Sequence, residues 1–217
     1  VKTYAIFGAG GYGRETIPVA RMMLQASLQD NYRLVFVSDT KNAETINGYP
    51  LLSKEEFLAL TQTEKFFNIA IGDSQTRERI SHELIAAGIK PFTITSPSTV
   101  IFDANEIGSG AILSPFTTIT SNAKIGKFFH ANIYSYVAHD CVIGDYVTFA
   151  PSVKCNGGVI IEDHAYIGTG AVIKQSMPNR PIVIGAGAIV GMGAVVTKSV
   201  PAGATVLGNP AKPLRAL

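Results

Sequence analysis

Among the four histidines and sixteen acidic residues of the chain, one adjacent pair has the makings of a proton-transfer device. It is His139 and Asp140, in the string Val137-Ala-His-Asp-Cys-Val142. A free imidazole titrates at about 6.5, so at neutral pH it can take a proton from an attacking amine or hydroxyl. A carboxylate beside the ring can fix its tautomer and stabilise the imidazolium. Adjacent side chains often diverge, so Asp140 serves its neighbour only if the backbone turns it that way; otherwise it acts in another subunit's geometry or not at all. A solvated corner histidine is the competing reading. His82 falls in an expected surface helix and needs no role, while His130 and His164 read as structural or interface residues. Cys141 and Cys155 read as small packing residues rather than a nucleophile or a disulfide.

A second constellation lies near the start. Gly8-Ala-Gly-Gly-Tyr-Gly13 follows a strand-like run, Thr3 to Phe7, and precedes a helix expected over residues 14–26. In that context a G-x-G-x-x-G turn brings backbone N–H groups to a phosphate, and the helix N-terminus favours the anion. Gly10, Gly11, Tyr12 and Gly13 are the candidate phosphate contacts. Asp39, after an expected strand Leu34 to Val37, is placed to reach a ribose or a base. Gly72 and Asp73, after an expected strand Phe66 to Ile71, complete the substrate-facing set. The plain alternative is a turn that binds nothing and packs a helix on a sheet.

The elements that must hold these residues differ in kind. Residues 1–96 read as a Rossmann-like βαβ unit: an Asn47-Gly-Tyr-Pro50 turn, a short helix capped by Ser53 with Glu56 three residues on, a helix from Ser74 to Ala87 ended by Gly88, and a last strand within Lys90 to Thr95. The unit has no second half and no place for a nicotinamide, which favours one nucleotide-linked ligand over NAD. Residues 97–217 repeat every six. From Ile101 to Ile173 each sixth residue is apolar, which in a chain 47% hydrophobic has a chance on the order of one in ten thousand. The fourth residue after each is usually small or β-branched. A strict six suits short strands separated by corners, three to a coil, and Gly108, Gly126 and Gly144 mark the eighteen-residue turn. Coils would stack about 4.8 Å apart around a narrow aliphatic core. The phase breaks at a projecting loop, residues 174–183, and resumes at Ile184. Phe116 with Tyr134, and Phe128 with Tyr146, are also eighteen apart and are expected to stack on an outward, covered face.

The repeats, the loop and the ending Val206-Leu-Gly-Asn-Pro-Ala-Lys212 resemble the left-handed β-helix acyltransferases of the hexapeptide-repeat superfamily. With Ile6-Phe-Gly-Ala-Gly-Gly-Tyr-Gly-Arg-Glu15, Ile69-Ala-Ile-Gly-Asp-Ser74 with Arg77, and His139-Asp-Cys-Val-Ile-Gly-Asp145, nearly the whole chain resembles the nucleotide-4-amino-sugar N-acetyltransferases and sialic acid O-acetyltransferases. The left hand of the helix comes from this resemblance alone. It implies an acetyl-CoA-dependent N-acetyltransferase acting on a nucleotide-linked 4-amino-deoxy sugar in bacterial surface-glycan synthesis. His139 is then the general base and Asp140 the acid that tunes it. Coenzyme A is implied along the solenoid between subunits of a homotrimer. Thr148 stands where some relatives carry a second histidine, Gly168, Ala186 and Gly187 would permit close approach, and Lys198 and Lys212 would meet phosphates.

Sialic acid O-acetylation is the nearest alternative. Zinc carbonic anhydrases share the solenoid, but His130, His139 and His164 do not match their histidine spacing, and no metal is expected. A non-catalytic sugar-nucleotide sensor would leave the histidine string unexplained. The net charge of +2 and the lack of basic runs argue against nucleic acid. No apolar run is long enough for a membrane span, no signal peptide is read, and a cytoplasmic setting is expected.

Overall fold

Three near-continuous apolar runs build the sheet of the first unit, and their burial explains why they are strands. The computed structural model describes residues 2–28, 31–41, 43–61 and 63–214, which form two units, Val1–Pro97 and Ser98–Leu217. In the first, β1 (Lys2–Phe7), β2 (Tyr32–Val37) and β5 (Glu64–Ile69) are parallel and central. Ala5, Ile6, Val35, Phe36, Phe67 and Ile69 are fully buried, as strands covered on both faces require. β3 (Thr45–Ile46) and β4 (Tyr49–Leu52) form a hairpin at one edge, and β6 (Lys90–Pro91) closes the other, giving the order β3-β4-β2-β1-β5-β6. Asn47 and Gly48 turn the hairpin with φ of 51° and 82°, the pair of positive values a two-residue turn needs.

The helices are α1 (Gly11–Leu28), α2 (Lys54–Ala59) and α3 (Ser74–Ala86). α1 starts earlier than expected because the glycine turn is itself its first turn: Arg14 N–H already donates to Gly10 C=O at 3.0 Å. The Ser53 hydroxyl accepts from Glu56 N–H at 3.1 Å and the Glu56 carboxylate accepts from Ser53 N–H at 2.7 Å, the expected capping box. β5 stops at Ile69, two residues short of expectation, so Ala70 to Gly72 belong to the loop that follows.

In the second unit each hexapeptide supplies a two-residue strand and a corner, and strands up to Lys154–Cys155 pair in parallel with the one eighteen residues on; across the loop the spacing grows to twenty-three, as in Ile160 with Val183. One face carries Thr118–Ile119, Tyr136–Val137 and Lys154–Cys155; the next Lys124–Ile125, Val142–Ile143 and Ile160–Ile161; the third Ile112–Leu113, His130–Ala131 and Thr148–Phe149. The second residue of each parallel strand points inward and is buried from Leu113 to Val206. Ile101 departs from the rule, being 43% exposed, because its strand pairs with a coil on one side only. Gly108, Gly126 and Gly144 are explained by the stacking. A Cβ on Gly126 would lie 2.6 Å from the Gly144 carbonyl carbon, and one on Gly144 would lie 2.7 Å from Asp163 N. Truncating a core residue such as Ile161, 1% exposed, is expected to cost about 2–5 kcal/mol, read as a lower denaturation midpoint.

The corners share one conformation. Every sixth residue from Ala104 to Gly170 has a φ between 52° and 75°. That left-handed step turns the chain from one face to the next, and Phe128, Asp140, Tyr146 and His164 all occupy it. Phe116 and Tyr134 stack at 4.9 Å and are 55% and 58% exposed, as expected of an outward pair. Phe128 and Tyr146 also stack, at 5.5 Å, and are buried, with His164 next in the column at 5.3 Å from Tyr146. The loop is shorter than read, because Val183 is already in the strand Val183–Ile184. It is a hairpin: Met177 and Arg180 bridge each other, and Asn179 turns with φ 59°.

Candidate active site

The corner between Val137 and Val142 is held on every side, which is what aims His139 outward. Val137 and Cys141 are buried in the core, Ala138 N–H donates to Cys155 C=O at 2.9 Å, and Asp140 N–H donates to Ser121 C=O at 3.1 Å. Gly158 N–H donates to His139 C=O at 2.8 Å from the next coil. With the backbone tied above and below, the imidazole projects from the prism, 54% exposed.

Asp140 takes the left-handed corner conformation, φ 59°, and this swings its carboxylate back onto its neighbour. His139 Nδ1 and Asp140 Oδ2 are 2.7 Å apart. The His139 hydrogen bond, with a further one from the Asn122 side chain, holds the Asp140 carboxyl below its ordinary range. An ionised carboxylate only accepts, so the proton of a neutral His139 sits on Nδ1 and the lone pair is on Nε2. The Nε2–Cε1 edge lies over Gly157, where a Cβ would come within 2.5 Å of both atoms.

In front of this edge is a cleft of about 340 Å³, walled by His139, Asp140, Gly157, Gly158 and the hairpin from Gln175 to Asn179. The hairpin is stapled to the same coil: Ser176 N–H donates to Gly157 C=O at 2.9 Å, and the Ser176 hydroxyl accepts from Ile182 N–H at 2.8 Å. The motif reading missed these loop residues, since nothing in their order says that the hairpin returns to the histidine. Chemically, the cleft offers one base with an oriented lone pair, open to an acceptor and an acyl donor. Neither cysteine joins it. Both are free and buried, Cys141 Sγ lies 3.2 Å from Asn156 C=O, and the Cys141 contact and burial push the Cys155 thiol up. His130 lies inside a strand and is buried, and among the described residues no group of three His, Cys, Asp or Glu is arranged to hold a metal ion.

The first unit has its own cleft, about 250 Å³, at the carboxyl ends of β1, β2 and β5. Gly8, Ser38, Asp39, Thr40 and Ile71 line it, the edge at which parallel sheets take ligands. Asp39 is exposed there. Gly10 and Gly11 are exposed at the start of α1, and a Cβ on either would meet nothing. Tyr12 is half-buried, its carbonyl taken by the Thr16 hydroxyl. Gly13 is buried, and a Cβ there would sit 1.9 Å from Gly8 O, so its smallness lets α1 pack on the turn. Gly72 is exposed, and Asp73 caps α3, its carboxylate accepting from Thr76 N–H at 2.8 Å. Arg77 builds this edge from beneath: fully buried, it donates from Nη1 to the carbonyls of Ile71 and Gly72 at 2.8 and 3.3 Å.

The residues expected to meet coenzyme A are dispersed, and none lines the His139 cleft within one chain. Thr148 is buried in its strand. Gly168 is also buried, and a Cβ there would lie 2.6 Å from Met192 N, so its smallness serves the next coil rather than a ligand. Ala186 and Gly187 are exposed at a corner, Ala186 bordering a cleft of about 420 Å³ with Val142 and Glu162. Lys198 and Lys212 are exposed.

Comparison with known proteins returns the same architecture. The family model for the PglD N-terminal domain matches residues 4–84. GDP-perosamine N-acetyltransferase from Escherichia coli O157:H7 is 58% identical over 212 residues, 98% of this chain and 96% of that protein. The solved structure of WeeI from Acinetobacter baumannii AYE is 55% identical with a TM-score of 0.94, covering 99% of this chain and 100% of that one. The acetyltransferase domain of PglB from Neisseria gonorrhoeae FA1090, in complex with acetyl coenzyme A, is 26% identical with a TM-score of 0.79, covering 98% and 99%. The fold is accordingly a Rossmann-like unit followed by a left-handed parallel β-helix.

Proposed function

Because the chain belongs to the hexapeptide-repeat family of nucleotide-sugar N-acetyltransferases, we propose that its acceptor is a GDP-linked 4-amino-deoxy sugar, with GDP-perosamine the first substrate to try. The enzyme is an acetyl-CoA-dependent sugar N-acetyltransferase. The GDP assignment rests on the activity named for the 58% identical relative. The observation that carries the mechanism is the His139–Asp140 pair, 2.7 Å apart, with Nε2 facing an open cleft.

The neutral sugar amine attacks the thioester carbonyl carbon while His139 Nε2 accepts a proton from the amine nitrogen. A C–N bond forms, the tetrahedral intermediate collapses, and the C–S bond breaks. The leaving thiolate takes the proton from the imidazolium, giving free coenzyme A and the acetamido sugar. Thiolate is a good leaving group, so no covalent enzyme intermediate is required. Asp140 keeps the Nδ1 proton in place and stabilises the imidazolium as it forms. The nucleotide sits at the carboxyl edge of the first unit's sheet, its phosphates near Gly10 and Gly11 and its base or ribose near Asp39. A homotrimer with the acetyl-transfer site between subunits accounts for a coenzyme set that one chain leaves scattered. Both co-substrates belong to the cytoplasmic pool, which supports a cytoplasmic role in surface-glycan precursor synthesis.

The direct test is thiol release from acetyl-CoA with GDP-perosamine, matched UDP- and dTDP-linked amino sugars, and sialic acid as separate acceptors. Turnover with the GDP sugar is expected; turnover with sialic acid alone would replace N- by O-acetylation. Asp39→Asn is expected to raise KM for the nucleotide sugar about tenfold, by loss of one charge-assisted hydrogen bond, and to leave KM for acetyl-CoA unchanged. An unchanged KM for both would remove Asp39 from the nucleotide site.

A further inference from the structure

Asn156 immediately precedes Gly157, the glycine on which the His139 ring rests, and each of its polar groups is engaged. Its N–H and its Nδ2 both donate to Ile173 C=O in the following coil, at 3.3 and 2.7 Å. Its Oδ1 accepts from the Tyr136 hydroxyl of the preceding coil at 2.8 Å, and its C=O accepts from Cys141 Sγ at 3.2 Å. A carbonyl only accepts, so Nδ2 must face Ile173, which leaves Oδ1 turned to Tyr136. Burial and the nearby Cys155 thiol hold the Tyr136 phenol above its ordinary range, so it keeps its proton to donate. We propose that Tyr136 and Asn156 are positioning residues for proton transfer: together they fix the Asn156–Gly157 peptide, and with it the floor that holds His139 Nε2 toward the cleft. This rests on the N-acetyltransferase reading above.

The corner itself does not call for asparagine. Ala138 holds the same place one coil earlier and Lys174 one coil later, each with its N–H bonded to the next coil and neither with a side-chain amide. Stitching one coil to the next takes a single amide bond, as Asn132 Nδ2 makes to Phe149 C=O at 2.9 Å. Asn156 adds a bond on its other side, from Tyr136, so its amide is gripped between two coils. Neither Tyr136 nor Asn156 is among the residues that wall the cleft, so the pair acts through Gly157 rather than on a reacting atom. The Cβ position of Gly157 lies 2.5 Å from Cε1 and Nε2 of His139, so a small movement of that peptide passes directly to the ring.

Tyr136→Phe tests this by removing one hydroxyl and keeping the ring. It is expected to lower kcat about three- to tenfold, with both KM values within about twofold. Asn156→Ala removes both side-chain tethers at a corner where Ala138 shows that alanine fits, and is expected to lower kcat about five- to twentyfold, again at constant KM. Combined in one chain, the two changes are expected to cost less than about twofold beyond Asn156→Ala, since the hydroxyl has already lost its acceptor. A pair that only stabilised the solenoid would lower the melting temperature and leave kcat at the wild-type value. Tyr136→Phe with wild-type kcat, a KM shift as large as the loss in kcat, or losses that multiply in the double variant would each overturn the proposal. Should Asn156→Ala fail to fold, Tyr136→Phe decides by itself. Failure of the parent reading looks different: the wild-type protein would release no thiol with any acceptor.

Discussion

His139→Ala is expected to lower kcat by about 10²–10⁴-fold, the usual contribution of a positioned general base. The amine must lose a proton as it attacks, and the cleft holds one imidazole, His139, with a lone pair on Nε2. The fold is expected to survive. The imidazole is half-exposed, and the corner is held by backbone bonds from Ser121, Cys155 and Gly158 that alanine leaves intact. The far-ultraviolet spectrum and melting temperature should match wild type while thiol release collapses. The pH profile gives an independent check. Because Asp140 is held below the ordinary carboxylate range by its His139 and Asn122 hydrogen bonds, it stays anionic through neutral and mildly acid pH. The fall in rate as pH drops therefore reports protonation of the imidazole, and that limb is expected to vanish in the alanine variant. Retention of both the rate and the limb would exclude His139 as the base.

Gly157→Ala is expected to reach nearly as far without touching a polar atom of the site. A Cβ at residue 157 would fall 2.5 Å from Cε1 and Nε2 of His139, well inside contact distance. The ring stands at the end of two rotatable bonds and is open to solvent on its other side, so the ring yields rather than the coil. Displacement of a catalytic group by about 1 Å can cost about 10²-fold, and a loss of about ten- to a hundredfold in kcat is expected. The melting temperature should change little, and KM for the nucleotide sugar should stay near wild type because its cleft lies in the first unit. A wild-type kcat would mean that the working ring conformation is not the one resting on Gly157.

Much of the molecule was legible in linear order because a solenoid is nearly one-dimensional. Each coil contacts only its neighbours, so a period of six in apolarity and of eighteen in glycine maps directly onto faces and coils. The inward row from Leu113 to Val196, the outward placement of His139 and the parallel strands feeding a glycine turn all follow from local pattern. Glycine was the weak point. At residues 13 and 168 the space that a side chain would occupy is filled by the Gly8 carbonyl and by Met192 N, a packing role that the order of residues does not reveal. A glycine records only that something comes close, and the order of residues does not say whether it is backbone or substrate.

The tertiary structure decided the rest, and the reason is angular. Adjacent residues such as His139 and Asp140 point apart in an extended chain; the left-handed corner at Asp140 folds the carboxylate back to 2.7 Å from the ring. The Gln175–Asn179 hairpin meets Gly157 and Gly158 only because the coil count brings it to that height of the prism. Burial likewise separates two aromatic pairs of identical spacing, Phe116–Tyr134 in solvent and Phe128–Tyr146 beneath the surface. Spacing sets which residues share a column, but backbone dihedrals and the neighbouring coil set where each side chain ends, and acetyl transfer depends on that end point.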